Sequence, residues 1–295
     1  MKLLVTGATG YIGSHFVELA AEHGHDVTAT DFNMDQNDIT KFCSNVIPWD
    51  FRNRMSHSSA SGGAVPSHRD FDKVVHLGAA NSVPKSVNDP WLYYETNVVG
   101  TKNVIEYANC DHFIYCSTGS AFDPISSPYA NTKYGGELIT QQFKEKHSIV
   151  RFYNVSGNNG FFKFDDEYSH LIRKAAAVAN GMFDKLYVYG TDYATRDGTT
   201  IRNYTHVTDI VESLIKITNN EPTEAIDCLG VPSGNSVKEV IDTMRSVSNT
   251  QFEVVEGPRR EGDIAISTVP YSSKYFKQTK TLEEMCYDAL NHEGI

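Results

Sequence analysis

The chain has 295 residues and a mass of 32.9 kDa, is 40% hydrophobic and 21% charged, and carries 15 Phe, 16 Tyr and 2 Trp. This composition excludes a disordered tail or a collagen-like repeat, and the length suits two domains at roughly 150 residues each. Lys and Arg number 26 against 37 Asp and Glu, a formal charge of −11, which argues against a nucleic-acid partner, because non-specific binding there needs a broad cationic surface.

In chain order, Leu3–Val5 reads as a buried parallel strand, apolar on both faces. A helical period follows from Tyr11 to about Glu22, with Ile12, Phe16, Val17 and Ala20 on one side. Asp26–Asp31 is predicted to be the next strand. The segment 56–67 has the Ser/Gly composition of a surface loop where a crossover helix would otherwise fall. Strands are then predicted at Lys73–Leu77, His112–Cys116 and Ile149–Phe152, with helices at Leu92–Ala108 and Pro128–Lys146 between them. This βαβ alternation predicts a doubly wound parallel sheet over residues 1–154. Past that point it loosens, as expected for a smaller α/β substrate domain at 155–295, part of which, about 191–220, is expected to pack back on the first.

Two constellations carry chemistry. Thr6-Gly7-Ala8-Thr9-Gly10-Tyr11-Ile12-Gly13 follows a strand and opens a helix, the context a dinucleotide fingerprint requires. Glycines permit a tight turn and close approach of main chain to a pyrophosphate, and the helix start offers free N–H groups and a partial positive charge. Asp31, at the end of the second strand, can accept from both adenosine ribose hydroxyls and would repel a 2′-phosphate, so NAD is expected rather than NADP. The second constellation is Tyr129-x-x-x-Lys133, whose spacing puts both side chains on one helix face. A phenol, with a pKa near 10, is a poor base at neutral pH. An adjacent ammonium and a cationic nicotinamide ring both favour the phenolate, and Thr118 at the preceding strand end is a hydroxyl able to share the substrate oxygen. No Lys-Ser/Thr follows the last glycine and no Gly-x-Ser-x-Gly occurs, so neither a P-loop nor a hydrolase elbow is supported.

With these features, and with Tyr189-Gly190-Thr191-Asp192-Tyr193-Ala194-Thr195-Arg196-Asp197-Gly198-Thr199, Arg202-Asn203-Tyr204-Thr205-His206-Val207-Thr208-Asp209 and Pro258-Arg259-Arg260-Glu261-Gly262-Asp263, the chain resembles the extended short-chain dehydrogenase/reductase superfamily. Within it, the chain is similar to the UDP-glucose (UDP-galactose) 4-epimerase family. The resemblance implies a Rossmann domain holding NAD and a reaction that inverts C4 of a UDP-hexose through a transient 4-keto sugar. It implies cofactor contacts from Gly7, Gly10, Tyr11, Ile12, Gly13, Asp31, Asp50, Phe51, Leu77, Gly78, Ala79, Asn97 and Tyr153. It implies Tyr129 as base, Lys133 as its tuner on the nicotinamide ribose, and Thr118 on the sugar. Asn154, Arg202 and Arg260 would meet the diphosphate and Asp263 the uridine ribose. A homodimer through Leu92–Ala108 and Pro128–Lys146 is also implied.

The chain departs from the family pattern in several places. Asn81 replaces a lysine, Asn203 an aspartate, and Ser169-His170-Leu171 an Asn-Asn-Leu stretch. Gly119-Ser120 stands where related dehydratases carry Asp-Glu, which counts against elimination of water. Ser267 is small where some members carry tyrosine, so UDP-N-acetylhexosamines are a further expected substrate class. Two rival readings are another NAD-dependent nucleotide-sugar epimerase or reductase on the same scaffold, and a catalytically silent dinucleotide-binding protein. No metal is expected, because His23 and His25 lack acidic or cysteine partners at ligand spacing. The five cysteines, an odd number without CxxC spacing, suit reduced thiols. The apolar run Leu3–Val5 is shorter than the roughly 7–15 residues of a secretory signal core, and no run reaches the roughly 18 of a membrane span, so a cytoplasmic protein with no membrane partner is expected.

Overall fold

A computed structural model describes residues 1–33, 38–43, 45–54, 69–158, 170–222, 225–260 and 263–292; the Ser/Gly-rich segment 56–67 and Ser169 lie outside the described residues. The chain forms two compact units, one of residues 1–151 and 214–227, the other of 152–213 and 228–295.

The first unit is built on β1 (Lys2–Thr6), α1 (Tyr11–Glu22), β2 (Asp26–Asp31), β3 (Asn45–Pro48), β4 (Arg69–His76), α2 (Val83–Asn88), α3 (Pro90–Tyr94), α4 (Gly100–Tyr107), β5 (Ala108–Thr118), α5 (Pro128–Phe143) and β6 (His147–Phe152). The seven-stranded sheet runs Asp227–Cys228, β6, β5, β4, β1, β2, β3, and the pairs β1/β2, β1/β4, β2/β3 and β4/β5 are parallel. Leu3, Leu4 and Val5 are buried because strands covered on both faces hide every side chain. Strand order reverses at β1, where chain leaving β1 and chain leaving β4 part to opposite sides; in such sheets this is where ligands bind, beyond the carboxyl ends of the strands.

The helices obey local rules. In α1, Phe16, Val17 and Ala20 are buried, and the helix runs out at His23 just before Gly24 with φ +73°. Helix α5 starts cleanly, since the Ser127 hydroxyl accepts from Ala130 N at 3.1 Å and Pro128 needs no hydrogen-bond partner. It ends at Phe143, three residues before the predicted Lys146. The helix predicted at Leu92–Ala108 begins two residues earlier and contains a π-helical turn, Glu95–Val99, between α3 and α4. Such turns are rare and cluster at functional sites.

In the second unit, Lys185–Tyr189 pairs in parallel with Glu253–Gly257, and Asn154–Ser156 with Tyr204–His206. Ile201–Arg202 is flanked by Asn235–Ser236 and Ile266–Ser267. Helices Leu171–Ala179, Val237–Ser248 and Leu282–His292 share a core of Ile172, Ala176, Met244 and Met285. No helix among the described residues is long and apolar enough to cross a membrane, and none of their His, Cys, Asp and Glu side chains form a metal-binding group.

Candidate active site

The turn after β1 is as tight as its glycines allow. Gly7 adopts φ +67°, and a Cβ there would fall 2.6 Å from Gly78 N; at Gly13 a Cβ would fall 1.9 Å from Gly7 O. Both positions are therefore closed to any other residue. Gly10 caps α1 with no side-chain hydrogen bond, so no capping side chain stands at the positive end of the helix, where an anion is favoured. At the end of β2, the buried Asp31 carboxylate accepts from Thr9 N at 3.2 Å and Phe32 N at 2.8 Å. Burial pushes its carboxyl above the usual range, while the hydrogen bonds from Thr9, Phe32 and Asn33 pull it back. This donor-and-acceptor set fits a dinucleotide: main-chain N–H groups for phosphates, one carboxylate for a ribose.

The segment Leu77-Gly78-Ala79 leaves β4 beside this turn, with Leu77 N donating to Thr6 O at 3.2 Å. Asn97, on the π-helical turn, holds the next residue from both sides. Its Oδ1 accepts from Ala80 N at 2.8 Å and its Nδ2 donates to Ala80 O at 3.0 Å. Asp50 is gripped by the Arg52 guanidinium at 2.6 Å, which holds its carboxyl below the usual range. The Phe51 ring lies in the core, where a Cβ added to Gly78 or Gly100 would fall 2.6 or 2.5 Å from it. Its side chain is packing, so a ligand contact from Phe51 is confined to the main chain.

The Thr118 hydroxyl acts on the Tyr129 phenol, and Tyr93 meets the Tyr129 ring edge-on at 6.3 Å. One turn along α5, Lys133 is 3% exposed; its Nζ donates to Cys116 O at 2.7 Å and lies 4.4 Å above the Tyr115 ring. Burial lowers the Lys133 ammonium to about 8. Tyr129 moves the opposite way from the direction its sequence neighbours suggest: burial raises its phenol, Thr118 opposes that, and Lys133 is aimed at the strand instead. A further turn along, Glu137 forms a buried ion pair with Arg151 at 2.6 Å and accepts from the Ser117 hydroxyl. Sequence reading missed this brace, although Glu137 repeats the four-residue spacing of Tyr129 and Lys133.

The second unit brings another group together. Arg202 reaches Asp263 at 3.4 Å and donates to Ile264 O at 2.9 Å, and Ser267 pairs with Arg202 across the strands. Arg260 lies 3.8 Å over the Tyr189 ring, whereas Arg259 is committed to Asp192 at 2.7 Å. Asn154, next to Tyr153, donates through Nδ2 to Asn203 O at 2.9 Å. The Asn203 side chain in turn donates to Val231 O at 2.6 Å and Ser233 O at 3.0 Å. An aspartate would set its charge against those two carbonyls, which accounts for the amide here.

A model of the NAD dependent epimerase/dehydratase family matches residues 3–227. UDP-glucose 4-epimerase 4 of Oryza sativa subsp. japonica is 30% identical, over 98% of this chain and 89% of that protein. Among solved structures, UDP-glucose 4-epimerase from Brucella ovis, in complex with NAD, superposes with a TM-score of 0.84 at 26% identity, covering 99% of this chain and 98% of that one. The UDP-Glc/GlcNAc 4-epimerase of Campylobacter jejuni gives 0.76 at 28% identity, with the same coverage.

Proposed function

The chain belongs to the NAD dependent epimerase/dehydratase family, and we propose that it interconverts UDP-galactose and UDP-glucose by inversion at C4. The observation that carries this reading is Tyr129 at the start of α5, with the Thr118 hydroxyl acting on its phenol and Lys133 buried one turn away. NAD, when bound, supplies reversible hydride acceptance at that carbon. Gly7, Gly10, Tyr11, Ile12 and Gly13 hold its phosphates through the main chain and Asp31 its adenosine ribose. Tyr129 takes the proton of the 4-hydroxyl at its phenol oxygen and returns it, while Thr118 orients both oxygens. Lys133 holds the nicotinamide ribose. Arg202 and Arg260 grip the diphosphate as planar multi-donor groups, and Asp263 takes the uridine ribose. Binding at this remote end holds the hexose in place for reaction while leaving it free to turn.

Three finer readings go with it. The small Ser267 on the strand beside Arg202 leaves room for an N-acetyl group, and the similar C. jejuni protein is a UDP-Glc/GlcNAc 4-epimerase. A homodimer is supported by Trp91, 74% exposed on α3, and Phe143, 67% exposed on α5, and light scattering in solution tests it. The five cysteines, none of them in a disulfide, suit the cytoplasm. The main test is to mix the protein, without added cofactor, with UDP-galactose, UDP-glucose and their N-acetyl forms. Epimerised product, with NAD released on denaturation, supports the reading. Bound NAD with no product from any of the four sugars overturns it, and product from the plain sugars alone removes the N-acetyl reading.

A further inference from the structure

His76, the last residue of β4, is 1% exposed and is not one of the residues assigned above to substrate or NAD. Both of its ring nitrogens are hydrogen-bonded. The Thr101 hydroxyl gives its only proton to Asn97 O, one turn back, at 2.7 Å. Toward His76 Nε2, 3.0 Å away, Thr101 Oγ1 can therefore only accept, so Nε2 carries hydrogen. In the neutral ring Nδ1 is then an acceptor, and it receives the Thr6 hydroxyl at 2.6 Å. Thr6 Oγ1 in turn accepts from Gly78 N at 3.2 Å. On the other side the Asn97 amide, besides holding Ala80, donates to Thr132 Oγ1 at 3.0 Å, and that hydroxyl donates to Tyr129 O at 3.0 Å. The chain is unbroken from the residue before Gly7 to the main chain of Tyr129.

We propose that His76 is a positioning residue that fixes the phosphate turn after β1, the Leu77–Ala80 segment and the Tyr129-bearing start of α5 in one register. It lies at the switch point of the sheet, where Thr6 and His76 are the last register partners of β1 and β4 and Leu77 N donates to Thr6 O. A neutral ring donates to the Thr101 oxygen on one side and accepts the Thr6 hydroxyl proton on the other, which ties the two hydroxyls together. Burial and the nearby Lys133 hold the ring neutral. Aromatic walls from Phe51, Phe113 and Tyr115, with ring centroids 5.7, 5.8 and 5.7 Å away, keep it from turning.

This inference rests on the reading that the first unit holds NAD. Its test compares Thr101→Val, Thr6→Val and His76→Gln with the wild type. NADH is titrated by fluorescence, NAD carried through purification is counted after denaturation, and kcat and KM for UDP-galactose are measured separately. The variants are expected to bind NADH at least tenfold more weakly, to carry less NAD and to lose at least tenfold in kcat, with KM for the sugar within about twofold. Folding is checked by circular dichroism; if His76→Gln does not fold, the two valine variants, which remove one hydroxyl each, decide. Folded valine variants with wild-type NADH affinity and kcat overturn the proposal, even if their melting temperatures fall. A wild type that binds NADH without epimerising defeats the assigned reaction and leaves the NADH comparison decisive for His76. A wild type that binds no NADH defeats both.

Discussion

At Tyr129 a single hydroxyl carries the proposed proton transfer, and its surroundings say how. Burial disfavours the phenolate, and the Thr118 hydroxyl opposes that. Tyr129→Phe keeps the ring and its edge-on contact with Tyr93. It is expected to lower kcat by about 10²–10⁴-fold while retaining bound NAD, measured by epimerisation assay and by NAD release. Full activity in that variant would refute the mechanism. His76 gives a residue-scale prediction of a different kind. Its folded pKa is pushed down to about 3, mainly by burial and then by Lys133, against 6.5 for the free ring. Between these values the unfolded chain binds more protons than the folded one, so this contribution is complete above pH 6.5 and is lost as pH falls toward 3. By pH 4.5 the loss amounts to about 3 kcal/mol. Urea titrations at pH 7 and pH 4.5 should therefore show a drop in His76→Gln that is smaller than the wild-type drop by about that amount; equal drops would contradict it.

The elements around the site are held by polar bonds as much as by apolar contact. The Glu137–Arg151 pair joins α5 to β6, and the Ser117 hydroxyl adds the end of β5. With side chains 2% and 4% exposed, neither charge can be left alone cheaply. Glu137→Gln preserves shape but strands the guanidinium, and is expected to cost about 3–5 kcal/mol in urea unfolding, whereas leucine at both positions recovers most of it. A loss below about 1 kcal/mol would show that water reaches Arg151. At this scale the sequence is legible where burial has a period. Leu3–Val5 and the stripe of α1 announce themselves because one is apolar on both faces and the other along one side. β3 carries no such mark: it is half-buried and ends in Pro48, and the edge strand Asp227–Cys228 is two residues long. The π-helical turn at Glu95–Val99 is a shift in main-chain hydrogen bonding that no side-chain spacing records. Within the site, Tyr129 and Lys133 are readable as residue types at helical spacing. His76, Thr6 and Thr101 are not, since their contacts join positions 70 and 25 residues apart.

The whole chain resolves what its charge left open. A protein at −11 can take an anionic ligand because the proposed contacts are local: main-chain N–H groups behind Gly7, and two arginines on strands and loops far along the sequence. The same economy of position governs folding. Residues 1–151 do not complete their unit; the segment 214–227 belongs to it. Leu214, Ile215 and Ile217 are buried, Ile226 packs on the core of Leu4, Trp49 and Phe113, and Lys73 Nζ donates to Asn220 O at 2.7 Å. The last strand, Asp227–Cys228, lies against β6, which carries the buried Ile149 and Val150. A fragment ending at residue 154 would leave that strand an open apolar edge, a template for pairing with other chains. Expressed alone, residues 1–154 should therefore aggregate on size exclusion, lack a cooperative thermal transition and retain no NAD, while the full chain does the reverse. A monomeric 1–154 that melts cooperatively with NAD bound would show that the sheet closes without its returning segment. It would also move the boundary of the cofactor domain to the end of β6.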